Sequence, residues 1–215
     1  MALVDLSRTI YPNMPRIPIL PEVEFLPVRR IDDGHPLNIS ELRIATHAGT
    51  HVDAPWHFVP GGKTIDQIPL DRLSGTGVVV PVSRKGGEPI QPADLEGAGI
   101  EPDDIVFLHT GWGDKFESDA YNDHPFLADD TAQWLVDHGV KILGMDTITV
   151  DMPTAVRPKG FAFPVHHTLL EAEVLIIENL TGLEQIAGQR VRIFAFPLKI
   201  QGSDAGQARV VAEVS

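Results

Sequence analysis

At 215 residues, with 43% apolar and 22% charged side chains, the chain has the size and composition of one ordinary globular domain with room for a substantial core. A net charge of −13, from 30 acids against 17 bases, argues against a nucleic-acid surface and against an anionic membrane as partner. With no cysteine there is no disulfide and no thiolate ligand, so any metal must be held by imidazole and carboxylate, and a cytoplasmic location is compatible.

The amino terminus lacks a basic segment followed by a long apolar run, and no apolar stretch approaches about 18 residues, so neither a signal peptide nor a membrane span is expected. Residues 2 to 7 alternate weakly, as in a short strand. Pro12, Pro15, Pro18, Pro21 and Pro27 make residues 11 to 27 an extended arm with few ladder donors. Such an arm can wrap over a pocket, reach a neighbouring subunit or simply lie on the surface. Asp32-Asp33-Gly34 reads as a turn, and 37 to 46 as a strand feeding the next segment.

That segment, Thr46-His47-Ala48-Gly49-Thr50-His51-Val52-Asp53-Ala54-Pro55-Trp56-His57-Phe58, holds three of the nine histidines. His47, His51, Asp53 and His57 all stand at odd positions, which share one face of an extended chain. Fully extended, His47 and His51 would lie about 13 Å apart, at roughly 3.3 Å per residue. Two ligands of one metal have nitrogens no more than about 4.2 Å apart. The backbone must therefore bend between them, and Gly49 permits the bend. A strand ending near Thr46, a turn at 48 to 50 and an irregular segment stiffened by Pro55 are expected.

Further on, Val78 to Val82 and 105 to 109 read as buried strands, and 92 to 98 as a short helix stopped by Gly99. Residues 111 to 126 are polar and aromatic and too long for a simple turn, which suggests a pocket rim. A helix capped by Asp129 or Asp130 runs to about His138, with Gly139 as its stop. Strands follow from Lys141, at 174 to 177, 191 to 197 and 209 to 214, with a short helix at 164 to 173. The pattern is mixed α/β, a β-rich centre with three or four short helices, in a single domain over residues 1–215.

One segment cannot surround a metal. The remote candidates are His166, His167 and Glu178. Glu178 ends the apolar run Val174-Leu175-Ile176-Ile177. There it either lies beyond the sheet in water or is buried against something positive, as a metal would be. Asp146 and Asp151 are read as structural or as supports for the ligands. His35, His109, His124 and His138 lack matching motifs and are read as structural or exposed.

The run His47-x-Gly49-Thr50-His51-x-Asp53-x-Pro55-x-His57 resembles the signature of the cyclase family of metal-dependent hydrolases, which includes bacterial kynurenine formamidase (arylformamidase) and isatin hydrolase. His166-His167-Thr168-Leu169-Leu170 and Glu178-Asn179-Leu180 are similar to a second family element in order and spacing. Gly144 to Asp151 resembles a third, with Thr149 where serine is frequent. The resemblance implies a swivelling β/β/α fold and a homo-oligomer, dimer or tetramer. It implies two zinc ions, with manganese as the alternative. His47, His51 and Asp53 would hold the first, and Asp53, His166 and Glu178 the second, with His167 variable. His57 would stand off the metals as acid/base.

A divalent metal so held lowers the pKa of bound water toward neutrality, and the resulting hydroxide attacks a carbonyl. No Gly-x-Ser-x-Gly elbow occurs, and no nucleophilic side chain is needed. The substrate implied is a small amide, N-formylkynurenine of tryptophan catabolism foremost. The formamidases usually carry a Trp-Pro-Gly-Asp-like element near the amino terminus, whereas Tyr11-Pro12-Asn13-Met14-Pro15 stands here. A cyclic amide (lactam), a lactone or another small ester therefore remains an alternative, as does a metal-binding domain without catalysis.

Overall fold

The computed structural model describes residues 1–214. Its strands are β1 (Ala2–Asp5), β2 (Glu24–Arg29), β3 (Ile39–Arg43), β4 (His51–Asp53), β5 (Ser74–Pro81), β6 (Pro89–Ile90), β7 (Ile105–His109), β8 (Phe126–Leu127), β9 (Ile142–Met145), β10 (Leu175–Glu178), β11 (Arg190–Pro197) and β12 (Ala205–Val214). The two α-helices are α1 (Asp129–Asp137) and α2 (Pro164–Glu171). Among the described residues, no helix is long and apolar enough to cross a membrane.

Eight strands form one mixed sheet in the order β1-β12-β11-β5-β7-β9-β10-β4. The first residues of β12 also pair with β4, so seven of the strands close into a barrel and β1 lies beside β12. Period-two alternation separates two cores. Val79, Ile105, Phe107, Leu175 and Ile177 point inward with Val52 and Ile193. Val78, Val80, Val106, Leu108 and Ile176 point outward and pack under α1 and α2 with Leu135, Val165, Leu169 and Leu170. Gly144 occupies an inward position of β9. A Cβ there would meet the Phe107 ring at 2.5 Å, so this aromatic fills the interior only because its neighbour has no side chain.

Several expectations are corrected. The strand expected at 37 to 46 is only β3, and it pairs with β2 in a separate hairpin whose Phe25, Val28, Ile39 and Leu42 are exposed. Alternation there reflects pairing, not core burial. β5 begins at Ser74, four residues ahead of the start expected at Val78. Residues 92 to 98 form only the 3-10 turn Pro92–Asp94, because Gly97 adopts φ +78°. Asp129 and Asp130 lie in the first turn of α1 rather than capping it, where their charge still favours the helix dipole. Two α-helices are present, and the remaining helical pieces are single 3-10 turns.

The segment 111 to 126 does not rim the cavity. Trp112, Phe116 and Tyr121 pack with Met14, Val23 and Ala48, which clamps the proline-rich arm onto the histidine segment. Held in this way, Ile17, Pro18, Ile19 and Leu20 of the arm cover the pocket.

Candidate metal centre

The site forms where β4, β10 and α2 meet on the outer face of the barrel. Val52 points inward, so His51 and Asp53 on either side of it point outward. β10 runs antiparallel to β4 with Glu178 opposite His51, and this register alone puts a carboxylate beside an imidazole. The irregular run expected after residue 50 is instead a strand. β10 and β12 flank it on both sides and take up its backbone hydrogen bonds. The bend expected at Gly49 is present, at φ +71°, and returns His47 to the same pocket. Pro55–His57 is a 3-10 turn that places His57 in the lining of the same pocket.

His51, Asp53, His166 and Glu178 are all buried. His47 Nδ1 lies 2.9 Å and His51 Nε2 3.3 Å from Asp53 Oδ1. His51 Nε2 is 3.5 Å from Glu178 Oε2, and His166 Nε2 is 3.4 Å from Glu178 Oε1 and 3.8 Å from Asp53 Oδ2. Despite these approaches, His51 Nε2 and both Asp53 oxygens make no hydrogen bond. Buried polar atoms left so are costly. Atoms that converge without aiming protons at one another have the arrangement of ligands around a common cation.

The far nitrogen of each ring supports the same assignment. His51 Nδ1 donates to the Gly49 carbonyl at 2.8 Å, and His166 Nδ1 to Asp151 at 2.5 Å. His47 Nε2 donates to Asp204 at 2.9 Å. Each bond fixes the tautomer of the neutral ring, so that loss of the second proton leaves a lone pair facing Asp53 or Glu178. Asp151 also accepts from the backbone N–H groups of Val165 and His166 at the start of α2, so one carboxylate positions both helix and ring. The residues therefore fit a divalent metal. Two ligand-like triads arise, His47–Asp53–His57 and His51–Asp53–Glu178, each with its donor atoms within 4.8 Å of one another. Asp53 is common to both.

Asp204 was not anticipated from the sequence. It sits in a Gly-Ser-Asp turn just before β12, and nothing in that turn signals a partner 157 positions away. His167 is half-buried against Phe58, 3.3 Å from Glu171, and takes no part in the cluster. Among the other histidines, His124 is buried and donates Nδ1–H to the Pro125 carbonyl, while His138 stacks on Trp134. Asp146 accepts from Thr110 and Gly111 and is structural. Thr149 lines the cavity.

Burial opposes a proton on His47, but Asp53 and then Asp204 outweigh it and raise its pKa to about 9. Burial likewise opposes His166, yet Asp151 and Glu178 raise it to about 10. Asp53 is pushed up by burial but held well below the usual carboxylate range by His51 and His47. These pairs stabilise the metal-free protein fully below about pH 6.5, the unfolded value. The contribution is lost as pH rises through about 9 for His47 and about 10 for His166. A cation needs the same nitrogens without protons, so its affinity runs the other way and rises with pH over this window. Calorimetric zinc titration of the stripped protein at about pH 6 and about pH 9 checks this. Larger proton release at about pH 6 and tighter binding at about pH 9 are expected, and equal affinity at both would remove His47 and His166 as ligands.

His57 behaves differently. Burial lowers its pKa to about 4, and His47 and His166 add to the effect while Asp53 opposes it. Its ring lies 4.0 Å from that of His47 and 4.5 Å from that of Phe58, with Nδ1 3.8 Å from Asp204. It faces a cavity of about 400 Å3, walled by Phe58, Phe163 and the arm.

A buried imidazole–carboxylate cluster, with a histidine that burial keeps neutral beside an apolar cavity, has the donor set that a metal-dependent hydrolase requires. The chain belongs to the Cyclase family, described as "Putative cyclase", which residues 4–152 match. His166 and Glu178 lie beyond the matched residues. The chain is 34% identical over 214 residues to a kynurenine formamidase of Salinibacter ruber, covering 98% of this chain and 97% of that one. It is also 34% identical over 208 residues to one of Erythrobacter litoralis, covering 96% and 91%. Isatin hydrolase A from Ralstonia solanacearum shares the fold, with a TM-score of 0.89 over 100% of this chain and 92% of that one, at 22% identity.

Proposed function

We propose that the protein is a metal-dependent amidohydrolase acting on C–N bonds other than peptide bonds, and that its substrate is an aryl formamide of the N-formylkynurenine type. The observation that carries the reading is the set of buried, unpartnered donor atoms on His51 and Asp53 beneath a cavity entered past His57. The kynurenine formamidase relatives, matched over nearly their whole length, support the substrate class.

In this reading His47, His51 and Asp53 hold one cation, and Asp53, His166 and Glu178 a second. Zinc suits this donor set, with manganese as the alternative. When bound, the metal supplies Lewis acidity and an activated water. Asp53, with both oxygens free of hydrogen bonds, would be available to whichever cation the cluster holds. Glu178 is steadied by the Val150 N–H at 3.2 Å. His57, neutral at pH 7, takes the proton from the attacking water and passes it to the departing aryl amine. Phe58 and Phe163 line the cavity where the substrate's own ring would lie, and the arm residues exclude water.

A homo-oligomer belongs to the same reading, supported by the exposed apolar residues of the β2–β3 hairpin. A cytoplasmic location does too, since a reducing compartment makes no demand on a chain without cysteine.

The test is hydrolysis of N-formylkynurenine by metal-replete protein beside a chelated sample. Rapid turnover that is lost on chelation and restored by zinc or manganese is expected. Metal bound without turnover would move the substrate to a cyclic amide or lactone.

A further inference from the structure

Arg157 is the one guanidinium among the residues lining the metal-site cavity. Its Nε donates to the Met152 carbonyl at 2.7 Å, which fixes the head group in place. Its Cζ lies 4.8 Å from the centre of the Phe163 ring and 5.3 Å from that of Phe161, so the plane is also braced by aromatic neighbours. The two terminal nitrogens make no hydrogen bond or ion pair within the chain among the described residues. The nearest carboxylates are occupied elsewhere. Asp151 accepts from His166 and from two backbone N–H groups, and Glu178 accepts from Val150 and faces His51 and His166. Arg157 is half-buried, and burial lowers its pKa while Asp151 and Glu178 oppose the shift. A fixed cation, partly stripped of water and with two parallel donors unused, stands beside the apolar Ile17, Leu20, Phe58 and Phe163 in the wall of a cavity that also holds the histidine cluster.

The structure assigns Arg157 as the specificity-determining residue that receives a carboxylate of the substrate, so the preferred substrates are amides carrying an acid group away from the scissile bond. A guanidinium held at Nε offers its terminal N–H pair in the fork geometry that matches a carboxylate. It also resolves a mismatch of charge. In a chain of net charge −13 Arg157 supplies a local cation for the substrate's carboxylate, which the surrounding acids would otherwise repel. The assignment rests on the amidohydrolase reading for its chemistry, but the anion site can be measured without turnover.

The kinetic test compares N-formylkynurenine with its carboxamide, which keeps the ring, the formyl group and the α-ammonium and lacks only the carboxylate. Wild type should favour the acid. Arg157→Met should lose about 10- to 100-fold in kcat/KM on the acid, mostly through KM, the range expected for hydrogen bonds to a charged group. The loss on the carboxamide should be about tenfold smaller than on the acid, because only the acid loses the charged hydrogen bonds. Arg157→Lys should recover part of the loss. A purely structural role through Met152 and Phe163 predicts parallel losses on both substrates, and that outcome, or no loss on either, overturns the assignment.

The second arm titrates the metal-loaded protein with benzoate and with benzamide by calorimetry. Benzoate binding that weakens about tenfold or more in Arg157→Met, with benzamide unaffected, supports the carboxylate site even where no formamide is hydrolysed. Equal benzoate affinity in both proteins, or none in either, overturns it.

Discussion

Asp53→Ala protein is expected to lose metal and turnover together, and Asp53→Asn to do nearly as much without disturbing shape. Asp53 is fully buried in β4, and it is the residue common to both groups of donor atoms. Replacing it by the isosteric amide removes the only negative charge shared by His47 and His51. Breaking one partner out of a buried ionic set costs about 3–5 kcal/mol. At about 1.4 kcal/mol per tenfold, that corresponds to a loss of roughly 10²- to 10⁴-fold in metal affinity. Metal content after dialysis, read by elemental analysis beside kcat, checks the expectation. Asp53→Asn protein that keeps its full complement of metal would show that Asp53 is not a ligand. The alanine variant carries a second cost, a cavity flanked by strands β10 and β12, so the asparagine variant is the cleaner measurement.

The site was legible in sequence to the extent that local geometry builds it. The odd spacing of His51 and Asp53 becomes a shared face because the segment is a strand, and Gly49 supplies the return of His47. Glu178 could be suspected from its place at the end of an apolar run. Whether it was solvated or buried depended on β10 pairing with β4, a register that no local pattern encodes. Asp204 was invisible for the same reason. It meets His47 only because β12 closes the barrel against β4.

Errors about the fold have a matching cause. β4 is only three residues long and carries polar groups, so it does not read as a strand; it is one because partners lie on both sides. The aromatic stretch after Gly111 has the composition of a pocket wall. It packs on the arm instead, which places Ile17 and Leu20 over the cavity. The arm therefore reaches the site through packing that its prolines alone do not specify.

His57→Ala is expected to lower kcat by about 10²- to 10⁴-fold, the range for removal of a general base, while metal content stays unchanged. The geometry makes this a sharp question, because His57 stands close enough to His47 and Asp53 for its nitrogen to serve as a ligand instead. The protonation behaviour separates it from the others. Carboxylates raise His47 and His166 to about 9 and about 10, whereas burial takes His57 down to about 4. An imidazole neutral throughout the working range can accept a proton at any pH above about 4. His57 therefore contributes no acid limb to the rate between about pH 5 and about pH 8, and any limb there tracks metal loss. Three results are distinguishable by kcat and metal content together. A large fall in kcat with metal retained assigns His57 as the acid/base. A fall accompanied by loss of one ion makes it a ligand. Undiminished kcat removes it from the mechanism and leaves the proton to another group facing the cavity.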